Sequence, residues 1–222
     1  MKPSEFFDKA LNYSNYMKGA EYSASDILSD PLKVKLRKKY PNIDDVKVQD
    51  KISAYIGTGV HSLVEEYIQS ENAFSETNMQ SEVRLKHKNL SGTADIIFDG
   101  STIADIKTGK ETNIKKQISN PDKWVKQLSI YSYLNHVSNK QPMEEVGFVF
   151  WLTVDTQKFG TLEVKLMNKK EVVQMIREFM KEMDIPIEDT KKCDSCSWLW
   201  RWCGSRSKCS YYADKSIVVE DW

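Results

Sequence analysis

No stretch of this 222-residue chain approaches the roughly 18 consecutive apolar residues of a membrane-spanning helix. The opening segment, MKPSEFFDKALNYS, carries an early acidic residue and lacks a signal-type apolar core. Together these absences argue against a membrane or secreted protein and predict a cytoplasmic one. A net charge is missing as well, since Lys and Arg number 32 and Asp and Glu number 32. No global basic field therefore announces a nucleic-acid partner, and any such field has to be local. Internal repeats and low-complexity stretches are also absent, which excludes solenoid and disordered readings. Finally, no cysteine precedes residue 193, so any cysteine-held group has to be built within the C-terminal tail.

What is present suits a globular domain: 40% hydrophobic, 29% charged and 11% aromatic residues. Residues 4 to 40 read as two or three short helices, one opened by Ser23 or Ser25 as N-cap and the series closed by Pro41. Within GTGVHSLVEEYI, helical spacing of Val60, Leu63, Val64, Tyr67 and Ile68 predicts one buried apolar face, with His61 at its border. From about residue 79 the period falls to 2, and MQSEVRLKHK, SGTADIIF and TIADIKT read as three consecutive strands. Trp124, Leu128, Tyr131 and Leu134 restore the helical period. EVGFVFWLTV and GTLEVKLM then read as strands, followed by an amphipathic helix from Asn168 to about Met183. This order predicts an α/β fold with a mixed central sheet flanked by helices over residues 1–186, and a cysteine-rich tail over 187–222 packed on it. The basic cluster Lys33, Lys35, Arg37, Lys38 and Lys39 is expected on a solvated face. A second basic cluster joins Lys107 to Lys110, Lys115 and Lys116.

Chemistry concentrates in the strand Ile103-Ala104-Asp105-Ile106-Lys107, where alternation puts Asp105 and Lys107 on one face about 7 Å apart. Asp95, on the preceding strand, joins them only if the hairpin loop has the right parity. A two-residue loop at Asp99-Gly100 would set Asp95 opposite Ala104 and point it to the wrong face. The expectation is therefore a three-residue loop, Phe98-Asp99-Gly100, with Gly100 left-handed and Asp95 opposite Ile103, diagonal to Asp105. Two converging carboxylates repel unless one is protonated or a cation lies between them, and hard oxygen ligands suit Mg²⁺ or Mn²⁺. A lysine beside that cation can hold or help deprotonate a water and stabilise charge developing on a phosphate. Taken alone, D-x₉-D-x-K also fits a plain hairpin with surface charges.

The company of this motif is more specific. Gly57-Thr58-Gly59-Val60-His61, Ser91-Gly92-Thr93-Ala94-Asp95, Ala104-Asp105-Ile106-Lys107-Thr108-Gly109 and Gln127-Leu128-Ser129-Ile130-Tyr131 follow one another on helix, strand, strand and helix. In this order the chain resembles the PD-(D/E)XK nuclease superfamily, in its RecB-type branch with CRISPR spacer-acquisition nucleases, mitochondrial genome-maintenance exonucleases and phage exonucleases. The resemblance implies that His61, Asp95 and Asp105 bind metal with the Ile106 carbonyl, that Lys107 is catalytic, and that Gln127 and Tyr131 lie beside the site. Alanine at position 94 stands where the family name has proline, a departure that many relatives share. An imidazole ligand would shift preference from Mg²⁺ toward Mn²⁺. Glu65, one turn after His61, and Glu82, on the strand before the hairpin, are further candidates for a metal or water contact, or else surface acids.

The tail holds all four cysteines as C-x₂-C-x₆-C-x₅-C: Cys193, Cys196, Cys203 and Cys209. In a reducing compartment the spacing reads as a metal site ahead of a disulfide pair, with a 4Fe–4S cluster or Zn²⁺ both satisfying the ligand count. Relatives in the RecB-type branch often hold an iron–sulfur cluster with one cysteine ahead of the nuclease motifs, an arrangement this chain lacks. The resemblance favours iron–sulfur over zinc. As a whole it implies a metal-dependent deoxyribonuclease with little sequence preference, an exonuclease by family analogy. It would act on single-stranded DNA or DNA ends in replication, recombination or repair, in a bacterial or phage-infected cytoplasm and with replication or recombination proteins as partners. The alternative is a non-catalytic nucleic-acid-binding or assembly protein that uses the same fold and cysteine cluster as a scaffold.

Overall fold

The computed structural model describes residues 20–41, 48–74, 78–191 and 208–209, with side chains of the long helix described over 55–72. Ser23 ends a two-residue strand, β1 (Tyr22–Ser23), and caps the short α1 (Ala24–Ile27) through a reciprocal capping box with Asp26. Pro31 occupies the first turn of α2 (Pro31–Lys39), where its missing N–H costs nothing. The long α3 (Val48–Phe74) leads into β2 (Met79–His87), β3 (Leu90–Phe98) and β4 (Thr102–Gly109). Two helices follow, α4 (Glu111–Ser119) and α5 (Asp122–Asn139), then β5 (Val146–Thr153), β6 (Phe159–Lys165) and α6 (Lys169–Asp184). Asn168 caps α6 through a second capping box with Glu171, at the start its sequence indicates.

The six strands form one mixed sheet in the order β1-β3-β4-β5-β6, with β2 paired to the other edge of β3. Pairing is antiparallel for β2–β3, β3–β4 and β5–β6 and parallel for β4–β5. On one face α5 buries Trp124, Leu128, Tyr131 and Leu134 against Ile97, Ile103 and Val149. On the other, α3 lays Val60, Val64 and Ile68 over Ile96, Ala104 and Ile106. Among the described side chains, this i, i+4, i+8 row forms the apolar contact of α3 with the sheet. Leu63 and Tyr67, expected in the same buried face, are 67% and 58% exposed. Three residues on from Val60, Leu63 stands about 60° around the helix axis and misses the sheet.

Lys35 also departs from expectation. Rather than lying on a solvated face it is 6% exposed, and its Nζ donates to the Ile185 carbonyl and to Thr190 Oγ1, tying α2 to the end of α6. Burial lowers its pKa, and the two oxygens satisfy an ammonium that would otherwise be costly to enclose. Arg37 of the same cluster pairs with Asp26. Helix α4 has no counterpart in the sequence reading. Its apolar register is Ile114 and Ile118 alone, too short a pattern to stand out among its lysines. Among the described residues, no helix is long and apolar enough to cross a membrane.

Candidate active site

The β3–β4 hairpin positions the acids. Its register runs Phe98↔Thr102, Ile97↔Ile103 and Ile96↔Ala104, so the loop is Asp99-Gly100-Ser101, three residues long but one residue later than expected. Asp99 and Gly100 both take positive φ, 49° and 77°, and Ser101 N–H closes the turn on the Phe98 carbonyl at 3.1 Å. Sliding the loop by one residue moves every cross-strand partner by two. Facing parity is kept, and Asp95 falls in line with Asp105 instead of diagonal to it.

Beyond Ile96 the two strands part, and the edge of β3 that β4 leaves is taken up by β1 at Leu90 and Ser91. At the fork the sheet also turns over. Met79 and Ile96 pack on the α3 side, whereas Leu85, Ala94 and Leu90 pack with the α5-side core, although equal parity along each strand would put them on the same face as Met79 and Ile96. Pairing of Ser81 with Ile96 and Val83 with Ala94 brackets the reversal, placing it at the facing residues Glu82 and Asp95. Glu82 carries the local distortion as a left-handed backbone, φ 49°, within a strand. Regular alternation, on which sequence reasoning relied, fails at these two residues.

The reversal brings groups from both faces together. Asp95 Oδ2 accepts the Ile106 N–H at 2.7 Å, supplying the bond that the diverging strand no longer can. Because the N–H and C=O of an extended residue point to the same edge, the Ile106 carbonyl faces the fork too. His61 Nδ1, reaching from α3, lies 3.7 Å from Asp95 Oδ1 and 3.6 Å from Glu82 Oε1. Ligand atoms of His61, Glu82 and Asp95 lie within 4.8 Å of one another, close enough to share one cation. Glu65 stays outside this group and accepts a hydrogen bond from Gln69 one turn away.

On the α5 side Asp105 is 2% exposed. Lys107 Nζ lies 2.5 Å from its Oδ2, an ion contact without hydrogen-bond geometry, and that buried oxygen has no hydrogen-bond partner among the described residues. Lys107 donates to Gln127 Oε1 at 3.0 Å, and Gln127 Nε2 donates to the Tyr131 hydroxyl at 2.9 Å. Gln127 and Tyr131, one turn apart on α5, thus extend from the lysine into the core. Gly92 makes room for them, since a Cβ there would come within 2.7 Å of the Tyr131 ring and 3.3 Å of Ala24. Gly92→Ala should therefore push the ring away from Gln127 and cost about 1–3 kcal/mol by overpacking. Thermal denaturation checks this, and an unchanged melting temperature would refute it.

Electrostatics matches the geometry. Burial first, and Asp105 second, push the Asp95 carboxyl up to about 7, against the opposing pull of His61, the Ile106 N–H and Lys107. The Glu82 carboxylate raises the His61 pKa against the effect of burial. Burial likewise raises the Tyr131 phenol. Three carboxylates thus share a partly enclosed site with one lysine and one imidazole, and a divalent cation would relieve the excess negative charge. Carboxylate oxygens with a single imidazole are a donor set that fits Mg²⁺ or Mn²⁺. Of the tail cysteines, Cys193, Cys196 and Cys203 lie outside the described residues. Cys209 is buried against Leu32 and Leu36 of α2.

The model of the PD-(D/E)XK nuclease superfamily matches residues 36–204. No curated protein sequence is significantly similar to the chain. Among solved structures, that of SSO0001 superposes with a TM-score of 0.63 at 18% identity, covering 96% of this chain and 98% of that one. A protein from Eubacterium rectale, whose exonuclease assignment is provisional, gives 0.53 at 11% identity, covering 100% of this chain and 96% of that one. An alkaline exonuclease from Laribacter hongkongensis gives 0.49 at 11% identity, with coverages of 83% and 94%. At such identities the likenesses concern the fold.

Proposed function

Since the chain belongs to the PD-(D/E)XK nuclease superfamily, we propose that it is a divalent-metal-dependent deoxyribonuclease, acting as an exonuclease with little sequence preference. The observation that carries this reading is the convergence of His61, Glu82, Asp95, Asp105 and Lys107 at the fork between β3 and β4. His61, Asp95, Asp105 and the Ile106 carbonyl would hold Mg²⁺ or Mn²⁺, with Glu82 as a further ligand. When bound, the ion would polarise a phosphoryl oxygen and lower the pKa of a water. The protein supplies the remainder. Lys107 offers its ammonium to the attacking water and to charge developing on the phosphate. Gln127 fixes that ammonium through the bond to Oε1, and Tyr131 fixes Gln127 in turn. Contacts confined to phosphates account for the low sequence preference. The four-cysteine tail is proposed to hold a 4Fe–4S cluster, with Zn²⁺ as the alternative, which visible absorbance and metal analysis would separate.

The test is incubation of end-labelled single- and double-stranded DNA with Mg²⁺, Mn²⁺ or excess EDTA. Cleavage is expected with either metal, released stepwise from ends, and none with EDTA. Absence of metal-dependent cleavage on every substrate would favour a binding or assembly role on the same scaffold. As Gln127 acts on Lys107 and not on substrate, Gln127→Ala should lower kcat about tenfold with KM nearly unchanged. A rise in KM at constant kcat would place Gln127 in substrate binding instead.

A further inference from the structure

The turnover at Glu82 and Asp95 exposes a part of the sheet that no described element covers. Beyond it, Leu85 and Ala94 point toward α5, so Arg84 and Lys86 point to the opposite face, beside their cross-strand neighbours Thr93 and Ser91. On that face α3 covers Ile96, Ala104 and Ile106, which lie on the near side of the fork. Arg84, Lys86 and Lys88 are exposed. We propose that this strip, running from the acid cluster to the β2–β3 turn, binds successive phosphates of a single DNA strand and leads it into the site.

Three observations carry the proposal, which rests on the nuclease reading above. The cations are free: Arg84, Lys86 and Lys88 have no side-chain hydrogen bond or ion pair with a described residue. Some cations elsewhere are engaged, as Lys35 is with Thr190, Arg37 with Asp26, Lys115 and Lys158 with Glu111, and Lys126 with Asp122. Others, such as Lys165, Lys170 and Lys181, are exposed and unpaired too among the described residues, and what sets the strip apart from them is its place beside the acid cluster. Their spacing fits as well. Arg84 and Lys86, alternate residues of β2, stand about 7 Å apart, an interval comparable to that between phosphates of an extended nucleic-acid strand. Lys88 follows in the turn with a left-handed backbone, φ 53°, and the first cation is two residues from Glu82. Charge supplies the third observation. A cluster of three carboxylates repels a polyanion, and a chain with 32 charges of each sign has no overall field to overcome this. An unpaired basic strip beside the acids provides the local attraction. Thr93 adds a hydroxyl between the cations and Asp95, and among the described residues no strand pairs with the outer edge of β2, which leaves lateral room for a polymer. Lysines on an edge strand can also serve only to block pairing with another chain, and the two roles differ in what salt does.

The experiment measures affinity of the full-length protein for a fluorescently labelled single-stranded oligonucleotide in EDTA, as a function of salt concentration. Three contacts at about 0.7 each should make the slope of log K against log salt shallower by about 2 in the triple variant R84S/K86S/K88S. Affinity at low salt should fall at least tenfold. The charge-preserving R84K/K86R/K88R should keep most of the slope, and K165S/K170S/K181S, on β6 and α6, should keep all of it. A slope unchanged in R84S/K86S/K88S, with or without aggregation, would overturn the proposal, as would an equal loss in the α6 and β6 variant or no binding by the unaltered protein. A salt-sensitive strip on a protein that never cleaves DNA would retain this proposal and reject the nuclease reading. Cleavage with an insensitive slope would do the reverse.

Discussion

Lys107→Ala is expected to lower metal-dependent DNA cleavage by at least about 100-fold, the scale on which loss of one charge-stabilising donor acts, while the protein stays folded. Lys107 is the cationic side chain in contact with the buried Asp105, 2.5 Å from its Oδ2, and it is held toward the fork by Gln127. Because Asp105 is enclosed, removing this counter-charge should also lower the melting temperature of the metal-free protein without unfolding it. Asp105→Asn should be at least as damaging to cleavage, because it removes the charge of an enclosed ligand and keeps its shape. Rates on end-labelled DNA, with melting temperatures measured in parallel, decide the matter. Full activity in Lys107→Ala would remove the lysine from the mechanism, and an unfolded variant would assign it a structural role.

A second large effect concerns pH. Asp95, pushed up from 3.8 to about 7 by burial and by Asp105, binds a proton in the folded state that it has lost in the unfolded one. Between these values the metal-free protein should therefore lose stability as pH rises. His61 acts in the same direction near the top of the range. Its imidazolium is favoured by Glu82, so its stabilising share is present below the unfolded value and lost as pH rises through the folded one. The Asp95 contribution is on the order of 2–4 kcal/mol, or a fall in Tm on the order of 10 °C between pH 4.5 and pH 7.5. Mg²⁺ or Mn²⁺ should restore Tm at the upper end by replacing the proton. Asp95→Asn keeps an oxygen to accept the Ile106 N–H but cannot titrate. In this variant most of the slope and most of the metal response should vanish. Identical pH profiles for Asp95→Asn and the unaltered protein would show that Asp95 ionises normally.

Legibility followed locality. The α5 stripe of Trp124, Leu128, Tyr131 and Leu134, the Asn168 cap and the five longer strands depend on neighbours within a few residues. They stand where the periodicities indicate. Leu63 and Tyr67 broke the pattern because exposure depends on what lies across from a helix, and the apolar packing of α3 on the sheet is made by Val60, Val64 and Ile68. Lys35 broke it for the opposite reason: its partners, Ile185 and Thr190, are more than 100 residues away in the chain. Gly92 is instructive in another way. The glycine of one motif exists for the tyrosine of another, a dependence visible only once β3 lies on α5.

The order of the elements was written in the linear chain, as was the pairing of Asp105 with Lys107 on one strand face. His61, Gln127 and Tyr131 were named by the resemblance of their motifs, and the structure brings them near these two and Asp95. Which of the spare acids lies beside them depends on three dimensions. Glu65, four residues from His61 on the same helix, turns to Gln69, whereas Glu82, on another strand, comes within 3.6 Å of the imidazole. The reason is physical. Glu82 reaches His61 through its register against Asp95 and through a left-handed backbone that turns two paired strands over at once, and neither is encoded in any short run of residues.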